Sequence, residues 1–280
     1  PRCLIRRWVN TSGLVFTHLR IRQRGMSMPE ILLMLVLGLV VGSFLNVVVY
    51  RLPRMLEGVD EATLSFPRSH CPACQTPLKP WHNIPLFSYV VLKGRCGFCQ
   101  ATISKQYPLV ELANACLWIL CAWHWNALPT AMVWAVCMSF LLALSVIDWQ
   151  TTYLPDALTL PMLWLGLLAS SLGMLDVSVQ HAVWGSIAGY ASLWLVAEAF
   201  QRFTGKEGMG AGDFKLLAAL GAWLGPFALI PLVLLASVTG ALVGIWLQYT
   251  GRLERGGYLP FGPFLAVCVL LLYTPFFANN

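Results

Sequence analysis

Apolar residues along this chain come in long runs separated by short polar turns, rather than in the strict alternation of half-buried strands. Runs near the roughly 20 residues needed to cross a hydrocarbon core fall at 30–50, 109–127, 130–147, 157–175, 181–200, 213–225, 227–249 and 260–277. The pattern predicts an all-α polytopic membrane protein of about eight transmembrane helices. Several boundaries rest on Pro129, Pro226 and Pro260, since proline lacks the N–H that a helix interior requires. The one long polar interval between runs is 51–108. The expected organisation is therefore a basic extension at 1–27, a first helix at 28–50, a soluble domain at 51–108 and a helical domain at 109–280.

Composition agrees: 58% of residues are hydrophobic and 11% charged, against about 25% charged in soluble proteins. Mean hydropathy is +0.69. A lipid bilayer is thus the implied surrounding. The net charge of +6 equals the contribution of Arg2, Arg6, Arg7, Arg20, Arg22 and Arg24. Beyond them acidic and basic residues balance, so basicity implies no nucleic-acid partner. Residues 1–25 read as an upstream extension ahead of Met26 and Met28.

Cytoplasmic loops carry the excess of lysine and arginine, which orients the remaining chain. Arg51, Arg54, Arg68, Lys79, Lys93, Arg95 and Lys105 crowd the 51–108 segment. Arg202 and Lys206 follow the fifth run, and Arg252 and Arg255 the seventh. The turns near 128, 176–180 and 226 carry none. Segments 51–108, 148–156, 201–212 and 250–259 are thereby expected on the cytoplasmic side. A basic tail that starts in the cytoplasm would invert that order.

The soluble segment holds Cys71-Pro-Ala-Cys74 and Cys96-Gly-Phe-Cys99. Two Cys-x2-Cys pairs at this separation resemble a zinc ribbon, in which each pair closes one knuckle and four thiolates make a tetrahedral site. With every position a cysteine, the zinc is structural and has no open coordination position. So small a segment can hardly bury an adequate core, and metal binding would supply much of its folding free energy. The alternative, disulfide pairing, fits poorly with a reducing compartment. Cys3, Cys116, Cys121, Cys137 and Cys268 lack such spacing and read as small apolar residues.

Two aspartates stand at the edge of the apolar runs: Asp148 after Ala131–Ile147, and Asp213 within Gly208-Met-Gly-Ala-Gly-Asp-Phe-Lys215. Carboxylates there are costly and mark function. The charge pattern places both on the cytoplasmic side. Together they could hydrolyse a peptide, one polarising a water while the other, protonated, stabilises and then protonates the tetrahedral intermediate. Gly210 and Gly212 carry no side chain beside Asp213 and would let an extended substrate backbone approach. Taken singly, Asp148 could be an interfacial end-cap and Asp213 a helix cap. Asp156, after Pro155, reads as a helix-starting cap. Glu111 and Glu198 read as packing residues within the bundle, and His124 and His181 fall at the far face. No His-Glu-x-x-His or Gly-x-Ser-x-Gly is present to support metal-dependent or serine chemistry.

Several motifs in order resemble the bacterial prepilin peptidases, the bifunctional leader peptidases and N-methyltransferases of type IV pili and type II secretion. They are Gly42-Ser-Phe-Leu-Asn-Val-Val-Val-Tyr-Arg-Leu-Pro53, the cysteine pairs around Asn83-Ile-Pro-Leu-Phe-Ser-Tyr89, Asp148-Trp-Gln-Thr-Thr-Tyr-Leu-Pro-Asp156, and Gly210-Ala-Gly-Asp-Phe-Lys-Leu216 with Gly221-Ala-Trp-Leu-Gly225. The resemblance covers nearly all of 28–277. It implies an inner-membrane Gly-x-Gly-Asp aspartyl protease with Asp148 and Asp213 as its catalytic pair. Such an enzyme cuts the leader of prepilins or pseudopilins after a glycine on the cytoplasmic face. It then methylates the new N-terminal residue, commonly phenylalanine, with S-adenosylmethionine. The family ties methylation to the soluble segment, which makes Lys93, Gly94 and Arg95 a candidate cofactor region, with a solvated turn as the alternative. Gly208-x-Gly-x-Gly212 lacks the strand that would make it a nucleotide loop. Glu57, Asp60 and Glu61 could attract a basic leader. A peptidase without methylation and a non-catalytic zinc-bearing scaffold remain the other function classes.

Overall fold

In a computed structural model, residues 25–58, 63–64, 66, 69–205, 208–251 and 259–273 are described. The basic stretch 1–24, and Asp60, Glu61, Arg68, Lys206, Arg252 and Arg255 lie outside them. The described residues are helical, with no strand and only two isolated bridges, His70 to Pro77 and Arg95 to Thr102. The longer helices are α1 (Met28–Leu56), α3 (Gln106–His124), α4 (Leu128–Thr151), α5 (Asp156–Ser171), α6 (Val179–Thr204), α7 (Ala211–Leu224), α8 (Pro226–Tyr249) and α9 (Gly262–Tyr273). A 3₁₀ turn at Pro80–Asn83 and a short α2 (Phe87–Val91) lie in the cysteine-bearing segment. Each apolar run thus became one helix. Only α1, α4 and α8 are long and apolar enough to cross a membrane by themselves.

Helix ends follow local chemistry. Ser27 and Glu30 form a capping box at the start of α1, the Ser27 N–H donating to the Glu30 carboxylate at 2.7 Å. Pro129 and Pro226 occupy first-turn positions of α4 and α8, where no N–H is needed. Gly205, at φ 69°, closes α6. Several boundaries differ from expectation: α4 runs on to Thr151, α6 runs on to Thr204, and α5 stops at Ser171. α1 continues beyond residue 50 to Leu56, carrying Arg51 and Pro53 within it, and α3 begins at Gln106 rather than 109. Arg51 is buried and donates to the Thr63 carbonyl at 2.9 Å, which explains how a cation extends an apolar helix.

α7 is the central helix. From Phe214 to Leu224 every residue but Lys215 is buried, enclosed by α5, α6 and α8. Its apolar run therefore records burial in the protein core rather than a lipid-facing surface. Its closest neighbour is α6, where a Cβ on Gly185 would strike the Gly221 carbonyl and one on Gly221 would strike Gly185. Small residues let backbones approach where lipid offers no hydrophobic drive. α1 and α3 pack in the same manner, fastened by the Asn114 amide donating to the Gly38 carbonyl at 2.7 Å. Outward faces of α6 and α8, including Trp184, Ile187, Trp194, Ile230, Leu234, Leu242 and Trp246, are exposed and apolar. A surface this apolar belongs in lipid.

Candidate active site and cysteine cluster

The last turn of α4 and the first turn of α7 lie on either side of Leu154, which packs against Gly212 beside Asp213 and against Gly262 beside Asp148. Asp148 sits in the last turn of α4 and is only 4% exposed. The helix stops just after it because Thr152 takes a left-handed conformation, φ 53°, and its N–H returns to the Asp148 carbonyl at 2.8 Å. Asp213 lies in the first turn of α7, where the cap residue is Gly210 rather than Asp213 itself. The two carboxylates interact electrostatically, though separated widely in sequence.

Sequence reasoning missed the group that positions Asp148. The N–H of Gly262, first residue of α9, donates to Asp148 Oδ2 at 2.8 Å. A Cβ at 262 would lie 2.7 Å from that oxygen. The only signal was a glycine between Pro260-Phe261 and Pro263, which marks a turn without naming its partner.

The two glycines before Asp213 separate in role. A Cβ on Gly212 would lie 2.7 Å from the Leu154 side chain, so Gly212 seats α7 against the α4–α5 connection. Around Gly210 only Asp213 Oδ2 comes within reach, at 4.0 Å. Gly210 leaves open space beside the aspartate, whereas Gly212 has Leu154 where a side chain would stand.

The other acids resolve. Asp156 is the first residue of α5 but makes no cap bond, Pro155 holding the cap position. Instead it pairs with Lys215 of α7 at 2.7 Å. Glu198 pairs with Arg202 on the exposed side of α6 rather than inside the bundle. Glu111 is buried on α3 and accepts the Leu86 N–H at 2.8 Å, joining the bundle to the cysteine-bearing segment.

That segment has two matching halves. Cys71 N–H bonds to the Thr76 carbonyl and Gln75 N–H returns to Cys71. Cys96 and Gln100 repeat this with Ala101. Gln75 and Gln100 both have positive φ, 57° and 61°, closing two like knuckles. The four sulfurs lie within 4.8 Å of one another, and Cys71 and Cys99 are 3.8 Å apart. A tetrahedral zinc with bonds of about 2.3 Å puts its sulfurs roughly 3.8 Å apart, the separation of Cys71 and Cys99, so the four cysteines could hold such an ion. Hydrogen bonding by Thr76 holds the Cys74 thiol down to about 6, and N–H groups of Cys99 and Phe98 lower that of Cys96. Both favour the thiolates that a metal needs.

Lys93, Gly94 and Arg95 form the turn into the second knuckle. Lys93 and Gly94 have positive φ, Lys93 and Arg95 are exposed, and the Gly94 carbonyl accepts from Ile103. The geometry is that of a solvated turn supporting the cluster. Gln150, beside Asp148, donates to Gln106 at the start of α3 at 2.9 Å. The cysteine segment and the aspartates therefore share one end of the molecule.

Residues 135–245 match the type IV leader peptidase family, and residues 36–125 match the bacterial peptidase A24 N-terminal domain. The chain is 47% identical over 255 residues to the prepilin leader peptidase/N-methyltransferase of Pseudomonas aeruginosa, covering 85% of this chain and 87% of that protein. The chain belongs to the type IV leader peptidase family. Its relatives in Neisseria gonorrhoeae, 43% identical over 257 residues, and Pectobacterium carotovorum, 47% over 249, bear the same name. Each covers 88% of the relative's length. No solved structure matches the chain. The family's peptidase region spans Asp148, Asp213 and the α6–α7 seam, and its N-terminal domain spans the cysteine cluster with α1 and α3.

Proposed function

We propose that this enzyme cleaves the leader of type IV prepilins or type II secretion pseudopilins after a glycine at the cytoplasmic face of the bacterial inner membrane. It then methylates the new N-terminal residue, commonly phenylalanine. The observation that carries this reading is that Gly212, next to Asp213, and Gly262, which bonds Asp148, both pack against Leu154, in a chain whose relatives share one name. One carboxylate takes a proton from a water as it attacks the scissile carbonyl, while the other, protonated, donates to the developing oxyanion; the first then passes the water's proton to the leaving amine as the C–N bond breaks, and the second regains its proton as the carbonyl re-forms. Two close carboxyls hold one proton between them in the resting state. The Gly262 N–H fixes the Asp148 carboxylate, and the open space at Gly210 receives the extended leader junction.

Eight membrane-crossing helices, with the aspartates and cysteines facing the cytoplasm, fit the placement of Arg51, Arg54, Lys79, Lys105 and Arg202. Cys71, Cys74, Cys96 and Cys99 would hold a structural zinc, which cross-links the two knuckles. S-adenosylmethionine supplies the methyl group when bound. The reading is tested with purified enzyme, a prepilin and label on the donor methyl, with Asp148→Ala and Asp213→Ala as controls. Either substitution should lower cleavage about 10²–10⁴-fold, and cleavage that survives would overturn the dyad. Cleavage by the wild type without label transfer would favour a simple peptidase.

A further inference from the structure

A cavity of about 620 Å³ lies between the C-terminal half of α1, the start of α3 and the cysteine-bearing segment. Its volume is in the range of roughly 300–1,000 Å³ typical of small-molecule sites. Among the described residues, two side-chain atoms are buried without a hydrogen-bond partner: Asn46 Oδ1 and His82 Nδ1. Both residues line this cavity. Asn46 is 5% exposed, and its amide nitrogen donates to the Tyr107 carbonyl at 3.0 Å. That bond fixes the carboxamide, so the unpartnered atom is an acceptor. A buried acceptor without a donor costs on the order of 1–3 kcal/mol, which a ligand N–H or O–H would recover.

Glu111 lines the same wall at 8% exposure and forms no ion pair among the described residues. Its known partners are the Leu86 N–H and Ser43, neither of which neutralises a charge. Tyr50, Tyr89 and Tyr107 add aromatic surface to the lining, suited to a flat heterocycle or a cation. Arg51 lines the cavity as well, bonded to the Thr63 carbonyl, so the wall carries both charges and fits a ligand that combines hydrogen-bond donors, a flat ring and a zwitterionic end. Among the reactants of the proposed activity, S-adenosylmethionine has that combination, with its adenine amino group, ribose hydroxyls, ammonium and sulfonium.

We propose that this cavity is the methyl-donor site, with Asn46 and His82 hydrogen-bonding the nucleoside and Glu111 facing the cationic part. The assignment rests on the methyl-transfer half of the proposed function. It moves the cofactor region from the 93–95 turn, which does not line the cavity, to a cleft shared by membrane helices and the cysteine segment.

The test uses full-length zinc-loaded protein in lipid nanodiscs. Labelled S-adenosylmethionine is cross-linked by ultraviolet light and the attachment mapped by mass spectrometry. Binding is measured in parallel for Asn46→Leu and Glu111→Gln, with Glu198→Gln as a control away from the cavity and melting of the unliganded proteins as a fold check. The expected result is attachment within 43–51, 82–92 or 104–111, blocked by S-adenosylhomocysteine. Affinity should fall at least tenfold, about 1.4 kcal/mol, in both cavity variants and stay unchanged in Glu198→Gln. Attachment elsewhere, or unchanged affinity in both variants, would overturn the site while a methylating wild type still upheld the function. A wild type that cleaves prepilin but neither binds nor transfers label would overturn both. The wild-type mapping decides the matter even where a variant fails to fold.

Discussion

At the residue scale, the arrangement around the aspartates gives each glycine near them a different expected sensitivity. Gly212→Ala should lower the melting temperature and the cleavage rate together, because its Cβ meets Leu154 at 2.7 Å and moves the start of α7. Gly210→Ala should leave the melting temperature near wild type and raise KM for prepilin, since it intrudes only on open space beside Asp213. Equal melting losses in the two variants would contradict the division of roles. Gly262→Ala should lower kcat without changing zinc content, as its Cβ crowds the Asp148 oxygen that the Gly262 N–H holds. Asp156→Asn is expected to cost about 1 kcal/mol or less, because its pair with Lys215 is half exposed and such pairs contribute little. Cleavage should remain close to wild type, and a loss comparable to that of Asp148→Ala would make Asp156 catalytic. Asp148 and Asp213 were legible in the sequence because carboxylates at the edge of apolar runs are rare. Gly262 was not, because a hydrogen bond between residues 148 and 262 leaves no local pattern.

At the element scale, the seam between α6 and α7 decides where Asp213 stands. Gly185 and Gly221 face each other across it with no room for a Cβ against the opposing backbone, so neither neighbour can yield by a rotamer change. Gly185→Ala should destabilise the protein by about 1–3 kcal/mol and reduce cleavage, although residue 185 touches neither aspartate. Unaltered melting would show that the helices separate freely. Apolar periodicity located every long helix among the described residues, since each needed a hydrophobic surface long enough to leave water. It overstated the independence of α7, whose run looks like a marginal span and proves to be a helix buried on all sides. The end of α1 was also misplaced, because Arg51 is carried inside by a carbonyl partner at Thr63 that hydropathy does not register.

At the scale of the whole molecule, the cysteine segment and the aspartates occupy one end of the bundle but rest on different supports. Asp148 and Asp213 stand on α4 and α7, whose apolar residues belong to the large helical core, whereas the cysteine knuckles have few buried apolar residues. Stripping zinc with a chelator should therefore abolish methyl transfer while leader cleavage persists, both followed on one prepilin sample. Hydrogen bonding by Thr76 lowers the Cys74 thiol from the ordinary 9 to about 6. Between those values the unfolded chain binds a proton that the folded segment does not, so this contribution to stability grows with pH and is lost as pH falls through about 6. Thr76→Val should accordingly speed metal loss at neutral pH, measured by chelator competition. The amino-acid sequence by itself determined the long apolar helices and the four-cysteine cluster, and pointed to the two aspartates. Each is written in composition, run length or short spacing, which local physics can read. Tertiary structure alone decided that Leu154 packs against both Gly212 and Gly262, that Gly262 holds Asp148, and that Asn46, His82 and Glu111 surround one cavity. These depend on contacts between distant segments, and burial without a partner exists only once the chain has closed around it.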